Sequence, residues 1–321
     1  MDGKASAYAV ALATAFALGL PAVAQAVPYS VSVNARVLGF TGLLNNQTPL
    51  NTGTLQQTAY SFDINQSAST DVPICGGSPQ TCLTGNETGT GAATGSVTPG
   101  AIHLSLISTS TTNPTTPTVL GNSNPLGAEG QAQASIAWTD TITIVSSTLA
   151  PGTAVSLRFT LSLHGSLGVS GDNLAAAHIQ DANSADVVAT LSPGVQLATP
   201  LVESGGIVQG GTFDGNPNFP AGDFTTIGLA FVGTPFTISG SMDGLTQANT
   251  EASANTSDVT SFLNAMNTAE TFIDILTPGA SLQSASGSTY DRVSVPEPST
   301  LALSVATLIL VGRRRLPDMQ A

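Results

Sequence analysis

The side chains able to do chemistry are few, and one type is missing. After Lys4 the 321-residue chain has no lysine, which removes Schiff-base chemistry, a Walker A phosphate cradle and a Ser-Lys dyad. Neither a G-x-S-x-G elbow nor an H-E-x-x-H pair occurs. The histidines are His103, His164 and His178; the first two fall on the polar phases of alternating segments, which predicts solvated rings rather than members of a triad. Carboxylates are numerous, 17 from Asp63 to Asp291, yet glycoside hydrolysis is defined by their separation in space, which sequence spacing does not supply. The expectation is a chain without catalytic residues or a cofactor.

One group has the spacing of an ion site. Asp214-Gly215-Asn216-Pro217-Asn218, followed by Asp223, offers oxygens at alternate positions that suit calcium. However, Phe219 stands where an EF-hand loop needs its glycine, and Thr225 stands where it needs a glutamate. The segment reads as an Asn/Pro-rich turn, and no metal is expected.

The elements that must position these residues lie between two terminal signals. Met1 to Ala26 has Lys4, an apolar stretch from Ala5 to Leu20, Pro21 and an Ala24-Gln25-Ala26 site, the pattern of a secretory leader cleaved after Ala26. At the other end, Val295-Pro296-Glu297-Pro298-Ser299-Thr300 opens an apolar run, Leu301 to Gly312, that stops at Arg313-Arg314-Arg315. Twelve residues are short of the roughly 20 a stable span needs, so this expected apolar helix is a transient membrane segment. The basic cluster stays on the cytoplasmic side. The organisation expected is a leader over 1–26, a body over 27–294, a terminal signal over 295–315 and a tail over 316–321.

Export gives Cys75 and Cys82 a meaning. An even count outside the cytoplasm predicts a disulfide, here enclosing six residues and contributing about 2–3 kcal/mol by loop closure. The spacing is not C-x-x-C, and no histidine or further cysteine is near.

The body sets Arg36, Arg158 and Arg292 against those 17 carboxylates, a net charge of about −14. Such a surface repels phosphate backbones, so nucleic acid is excluded as a partner. Enough Val, Ile, Leu and Phe remain to bury a core, and hydroxyls and amides must hydrate the surface.

Period-two alternation dominates the body. Pro151-Gly152 precedes Val155, Leu157, Phe159, Leu161 and Leu163 on one face, with Ser156, Arg158, Thr160, Ser162 and His164 on the other. Pro99-Gly100, Pro193-Gly194 and Pro278-Gly279 likewise precede strand-like residues. Further strands are predicted at Tyr29 to Val37, Tyr60 to Ile64, Gln133 to Val145, Asp186 to Leu191, Ile227 to Val232, Phe236 to Ser241 and Thr271 to Leu276. These make an all-β, antiparallel β-sandwich. Trp138 is placed in its core; the sharper alternative is a stacking platform for a glycan. Gly85 to Thr118 reads as low complexity with one strand, Gly89, Gly91 and Gly95 as loop, and Asn113 to Asn124 as a further loop. Asp172 to Gln180 and Ser257 to Asn267 read as helices, the second from Phe262 and Met266 four apart. An outer-membrane barrel is set aside, because the aromatics form no girdles.

The C-terminal arrangement resembles the PEP-CTERM sorting signal of exosortase substrates. Pro296, Glu297 and Pro298 match its motif, Leu301 to Val311 its membrane segment, and Arg313 to Arg315 its basic end. Within the body, Trp138-Thr139-Asp140, Pro151-Gly152, Phe236 to Gly240, Leu276-Thr277-Pro278-Gly279 and Ser284-Ala285-Ser286-Gly287 follow an order similar to other such substrates. The resemblance implies passage through the secretion machinery, transient tethering in the inner membrane, recognition and cleavage by an exosortase near the motif, and residence at the cell surface or in an exopolysaccharide matrix. The role it implies is structural or adhesive. A glycan-binding module is the alternative, and a secreted hydrolase the third reading.

Overall fold

The computed structural model describes residues 29–41, 44–76, 81–114, 126–172, 183–197, 201–209, 219–252 and 257–292. The leader, the sorting motif with its apolar run and basic end, and the helix expected beyond Asp172 lie outside them. Fifteen strands and no helix occur among the described residues. In chain order they are β1 (Tyr29–Thr41), β2 (Asn45–Asn51), β3 (Tyr60–Gly76), β4 (Thr81–Thr98), β5 (Ala101–Pro114), β6 (Leu126–Ser146), β7 (Ala154–Leu163) and β8 (Ser166–Asp172). There follow β9 (Asn183–Pro193), β10 (Gln196–Leu197), β11 (Leu201–Gln209), β12 (Gly222–Phe231), β13 (Pro235–Ala252), β14 (Ser257–Ile275) and β15 (Ala280–Ser284).

Two antiparallel sheets face each other. The first runs β11-β9-β13-β6-β1-β2, with β15 beside β6. The second runs β10-β12-β7-β14-β5-β4-β3, with β8 beside β14. Strand β6 is the spine of the first sheet: β1 pairs along one edge from Tyr29↔Asp140 to Thr41↔Ala128, and β13 along the other from Pro235↔Thr143 to Ala252↔Leu126.

Alternation decides which side chains meet between the sheets, and their size falls steadily from one end to the other. On β6 the inward positions read Ile144, Ile142, Asp140, Trp138, Ile136, Ala134, Ala132, Gly130 and Ala128; on β5 they read Ile102, Leu104, Leu106, Ser108, Ser110 and Thr112. At the large-residue end the core is apolar, with Phe159 and Phe236 edge to face at 6.4 Å between ring centroids. At the small-residue end the two backbones come together. A Cβ built on Gly89 or Gly91 would overlap the carbonyl oxygens of Glu129 and Gln131 across the gap, and one on Gly130 would overlap that of Thr90.

Backbones that close to one another leave little room for hydrocarbon, so the sheets are joined there by hydrogen bonds. Ser108 Oγ donates to the Thr246 carbonyl at 3.0 Å and lies 2.6 Å from Thr246 Oγ1. Ser110 Oγ donates to the Ala128 carbonyl at 2.6 Å and is equally close to Thr250 Oγ1. The buried Glu87 accepts from Gly127 N–H at 2.9 Å. Each bond satisfies a buried polar atom, which is what makes a hydroxyl-rich interior tolerable.

Several expectations are corrected. Gly85 to Thr118 holds most of one long strand and the whole of another, β4 and β5, joined by the Pro99-Gly100 turn in which Gly100 has φ +95°. Gly89, Gly91 and Gly95 are therefore strand residues and not loop, selected for close approach. Asn113 and Pro114, expected in a loop, end β5. Ser257 to Asn267 is the first part of β14, not a helix. A spacing of four is an even number of strand steps as well as one helical turn, so Phe262 and Met266 share a strand face, the outer one, while Val259, Ser261, Leu263 and Ala265 are buried. Gly152 and Gly279 turn the chain with positive φ, like Gly100, but Gly194 does not; a Cβ there would stand 2.7 Å from the Thr237 carbonyl oxygen.

Close approach has a direct test. Gly91→Ala forces the sheets apart and is expected to destabilise by about 1–3 kcal/mol, the usual cost of overpacking. Gly127→Ala, whose Cβ would meet nothing nearer than 3.9 Å, leaves stability unchanged or slightly raised. Urea unfolding midpoints compare the two.

Candidate functional site: the C-terminal strap

After β15 the chain leaves the first sheet and crosses to the second. Ala285 N–H donates to the Thr141 carbonyl at 2.9 Å, and five residues later the Tyr290 carbonyl accepts from Ile273 N–H on β14 at 2.9 Å. Residues 285–292 thus form a strap over the wide, apolar end of the core. Two polar anchors hold it.

The inner anchor is Asp140, a fully buried carboxylate on the inward face of β6. Its Oδ1 accepts from the N–H of Thr141 at 2.8 Å and of Ser286 at 3.1 Å; its Oδ2 accepts from the Ser286 hydroxyl at 2.5 Å and the Tyr290 hydroxyl at 2.8 Å. Four neutral donors replace the water the carboxylate gave up. Burial, then the charge of Asp140 and the hydrogen bond to it, push the Tyr290 hydroxyl well above the usual tyrosine value of 10.0. The Tyr290 ring lies 6.0 Å from that of Trp138. Trp138 in turn lies across Gly240, its direct partner on β13, where a Cβ would come within 2.5 Å of the indole nitrogen.

The outer anchor is Arg292. Its Nη1 is 3.0 Å from Asp223 Oδ2, and its guanidinium carbon sits 5.2 Å from the centroid of Phe272. Asp223 Oδ1 accepts from the Ser162 hydroxyl at 2.5 Å, and Ser162 Oγ is 3.2 Å from His164 Nε2. The Ser162 hydrogen bond, together with the charge of Arg292, holds the Asp223 carboxyl below its ordinary 3.8 against the opposing effect of burial. Serine, histidine and aspartate meet here in the wrong order for acyl transfer. A triad places histidine between the other two, whereas here the Ser162 hydroxyl stands in the middle, donating a hydrogen bond to Asp223 with His164 Nε2 on its other side. Clefts of about 460 Å³ and 280 Å³ flank the strap, the first between Ile273, Ile275, Leu282 and Tyr290, the second between Pro99, Phe272 and Ser288.

The other residues singled out in sequence fall as follows. Trp138 is 2% exposed, so it packs and offers no platform for a glycan. His164 is exposed as expected; His103 is half-buried, with Nδ1 2.7 Å from the Met266 carbonyl oxygen. His178 and residues 214–218 lie outside the described residues, and Asp223 of the calcium pattern has both oxygens engaged by Ser162 and Arg292. No group of three or more His, Cys, Asp or Glu is placed to hold an ion among the described residues. Ala24, Ala26, Pro296, Glu297, Pro298 and Arg313 to Arg315 also lie outside them. Cys75 and Cys82 are direct partners in the β3–β4 register; opposed residues of an antiparallel pair have Cα atoms about 4.5–5.5 Å apart, within the range a disulfide bridges.

Sequence reasoning missed the clamp itself. Asp140 and Ser286 are 146 residues apart, and Asp140 and Tyr290 are 150 apart. The available signal was an aspartate on the inward phase of β6, next to Trp138, which a buried strand face does not tolerate without donors.

Tyr290→Phe removes one of the four donors and is expected to cost about 1–3 kcal/mol. Because the folded tyrosine holds its proton more tightly than the unfolded one, its stabilisation is full below pH 10 and declines as pH rises above it; in the Phe variant this alkaline decline is absent. Asp223 has the opposite sign, stabilising above its ordinary value and losing that contribution as pH falls through its lowered folded one; Arg292→Gln shrinks this acid-side slope. Thermal unfolding from pH 3 to 11 reads both. Separately, intact-mass measurement with thiol alkylation is expected to find Cys75 and Cys82 unmodified, and labelling of both thiols rules out the disulfide.

No family model matches this chain, and no curated protein or solved structure shows significant similarity to it.

Proposed function

We propose that this protein is an exported, non-catalytic component of the cell surface or exopolysaccharide matrix, carried out by its leader and processed at its tail by an exosortase. The reading rests on the paired terminal signals: a leader ending at Ala24-Gln25-Ala26, and Pro296-Glu297-Pro298 followed by an apolar run and Arg313 to Arg315. The body between them is the β-sandwich ectodomain.

One structural observation carries this reading furthest. Arg292, the last described residue, is fixed between Asp223 and Phe272 only four residues before Pro296. The motif thus follows a fixed point of the body at short sequence distance. At the other end, cleavage after Ala26 leaves two residues before β1 enters the first sheet. A lysine-free, acidic surface hydrated by hydroxyls and amides suits a polysaccharide environment and offers no cationic patch for nucleic acid. Ser162 and His164 supply no activated nucleophile, since the serine proton is held by Asp223.

Fractionation of cells with and without the sorting peptidase, with the C-terminus of the mature protein read by mass spectrometry, tests the proposal. In wild type the product is expected to lack Arg313 to Arg315, and without the peptidase the unprocessed chain remains in the inner membrane. Retention of the arginines in wild type, or a cytosolic protein with its leader attached, overturns it.

A further inference from the structure

The outer face of β12 carries an apolar stripe with no cover among the described residues. Ile227 and Leu229 are each 51% exposed and Phe231 is 47% exposed, on alternate positions of one strand. Buried Thr226, Gly228 and Ala230 occupy the opposite face, so the phase of the strand is fixed and the three large side chains cannot turn inward. The neighbouring outer positions on β7 are Arg158, Ser156 and Ala154, which leave the stripe open on that side. On the other side β10 is two residues long and pairs only at Gly228 and Leu229.

The exit of the chain lies on this same face. Asp223, which holds Arg292, is on the outer phase of β12, four residues before Ile227. At about 3.3 Å per residue the stripe begins ~13 Å from that anchor and ends at Phe231, ~26 Å away. Eight residues separate Arg292 from Leu301, and an extended segment of that length spans up to ~27 Å. A mainly apolar run of twelve residues follows, Leu301 to Gly312; even at a helical rise it covers ~18 Å, more than the length of the stripe. The arginines beyond them are opposite in charge to the body.

We infer that, whenever it is outside a bilayer, the apolar segment 301–312 lies on the β12 stripe of its own chain, covering Ile227, Leu229 and Phe231. The chain then hides two apolar surfaces against each other while in water, and handing the segment to a bilayer or cutting it away uncovers the stripe. The effective concentration of a segment tethered so near its site favours this occupant over any partner free in solution. The inference requires only the tail's composition and exit point; it stands or falls apart from exosortase processing.

The test compares the full chain without its leader with a chain ending at Ser294, both shown to be monomeric by sedimentation, using a dye that fluoresces on exposed apolar surface. Docking predicts severalfold more fluorescence from the shortened chain, and a return to the full chain's level when Leu229→Ser and Phe231→Ser are added to it. An undocked tail gives the reverse, because the full chain then exposes stripe and tail together, and that order overturns the inference. A photo-reactive phenylalanine analogue at Leu308 is expected to cross-link within one chain to residues 225–231. Cross-links between two copies, or within one chain to other strands only, assign the stripe to a different occupant and also overturn it.

Discussion

Two backbones brought into near contact set the terms for the rest of this molecule. Where Gly89 and Gly91 of one sheet face Glu129 and Gln131 of the other, no side chain fits between the strands, and the neighbouring inward positions are small apart from the hydrogen-bonded Glu87. The strands that reach this end carry Gly, Ala, Ser and Thr there, and the same strands carry Ile, Leu, Phe and Trp at the other. Small side chains bury little apolar area, so cohesion passes from the hydrophobic effect to directed bonds such as those of Ser108 with Thr246 and Ser110 with Thr250. Those bonds have fixed partners. A slip of one residue would aim the hydroxyls at solvent and bring bulkier groups into the gap, which makes the polar end a register lock for very long strands.

The taper also explains the strap. Sheets that meet at one end stand further apart at the other, and large side chains fill the opening there without closing it. Residues 285–292 close it, with Tyr290 inserted beside Trp138. A hydrophobic plug alone would leave the angle of the strap free, whereas Asp140 receives donors from two of its residues at once. The cost is a buried charge. It is offset because all four of its hydrogen bonds come from neighbours whose own polar groups also needed a partner.

How much of this the sequence discloses depends on the range of the interaction. The alternation of β7 is local, and each of Val155, Leu157, Phe159, Leu161 and Leu163 is buried as that alternation predicts. Three of the four Pro-Gly pairs turn the chain because the backbone demand is local as well. Strand β4 was illegible for the opposite reason: Thr-Gly-Thr-Gly-Ala-Ala has low β-propensity and no apolar phase, and only a second sheet pressed against it makes glycine the right choice. The same holds for β14, where an i, i+4 apolar pair fits either period, and for the Asp140 clamp, whose parts are a hundred and more residues apart. Ser162, His164 and Asp223 show the limit from the other side. Types that could form a catalytic set are adjacent, and only their positions in space show that Asp223, hydrogen-bonded by Ser162, holds Arg292.

Edge strands complete the picture, because strands without lysine lack the usual guard against edge-to-edge pairing. On the β2 and β3 side, side chains substitute for it: Asn46 Nδ2 donates to the Ser67 carbonyl at 2.9 Å and the Thr48 hydroxyl to Gln66 Oε1 at 2.6 Å, tying the two edges together across the core. The opposite side has β11 in one sheet and the two-residue β10 in the other. Five of the ten large apolar residues exposed among the described residues, Val202, Val188, Ile227, Leu229 and Phe231, fall on strands of that side, against Phe40 and Leu44 at the β1–β2 flank. The asymmetry is physical before it is functional: one flank is tied by its own hydroxyls and amides, and the other carries the longer apolar stripe, on the strand whose Asp223 holds Arg292.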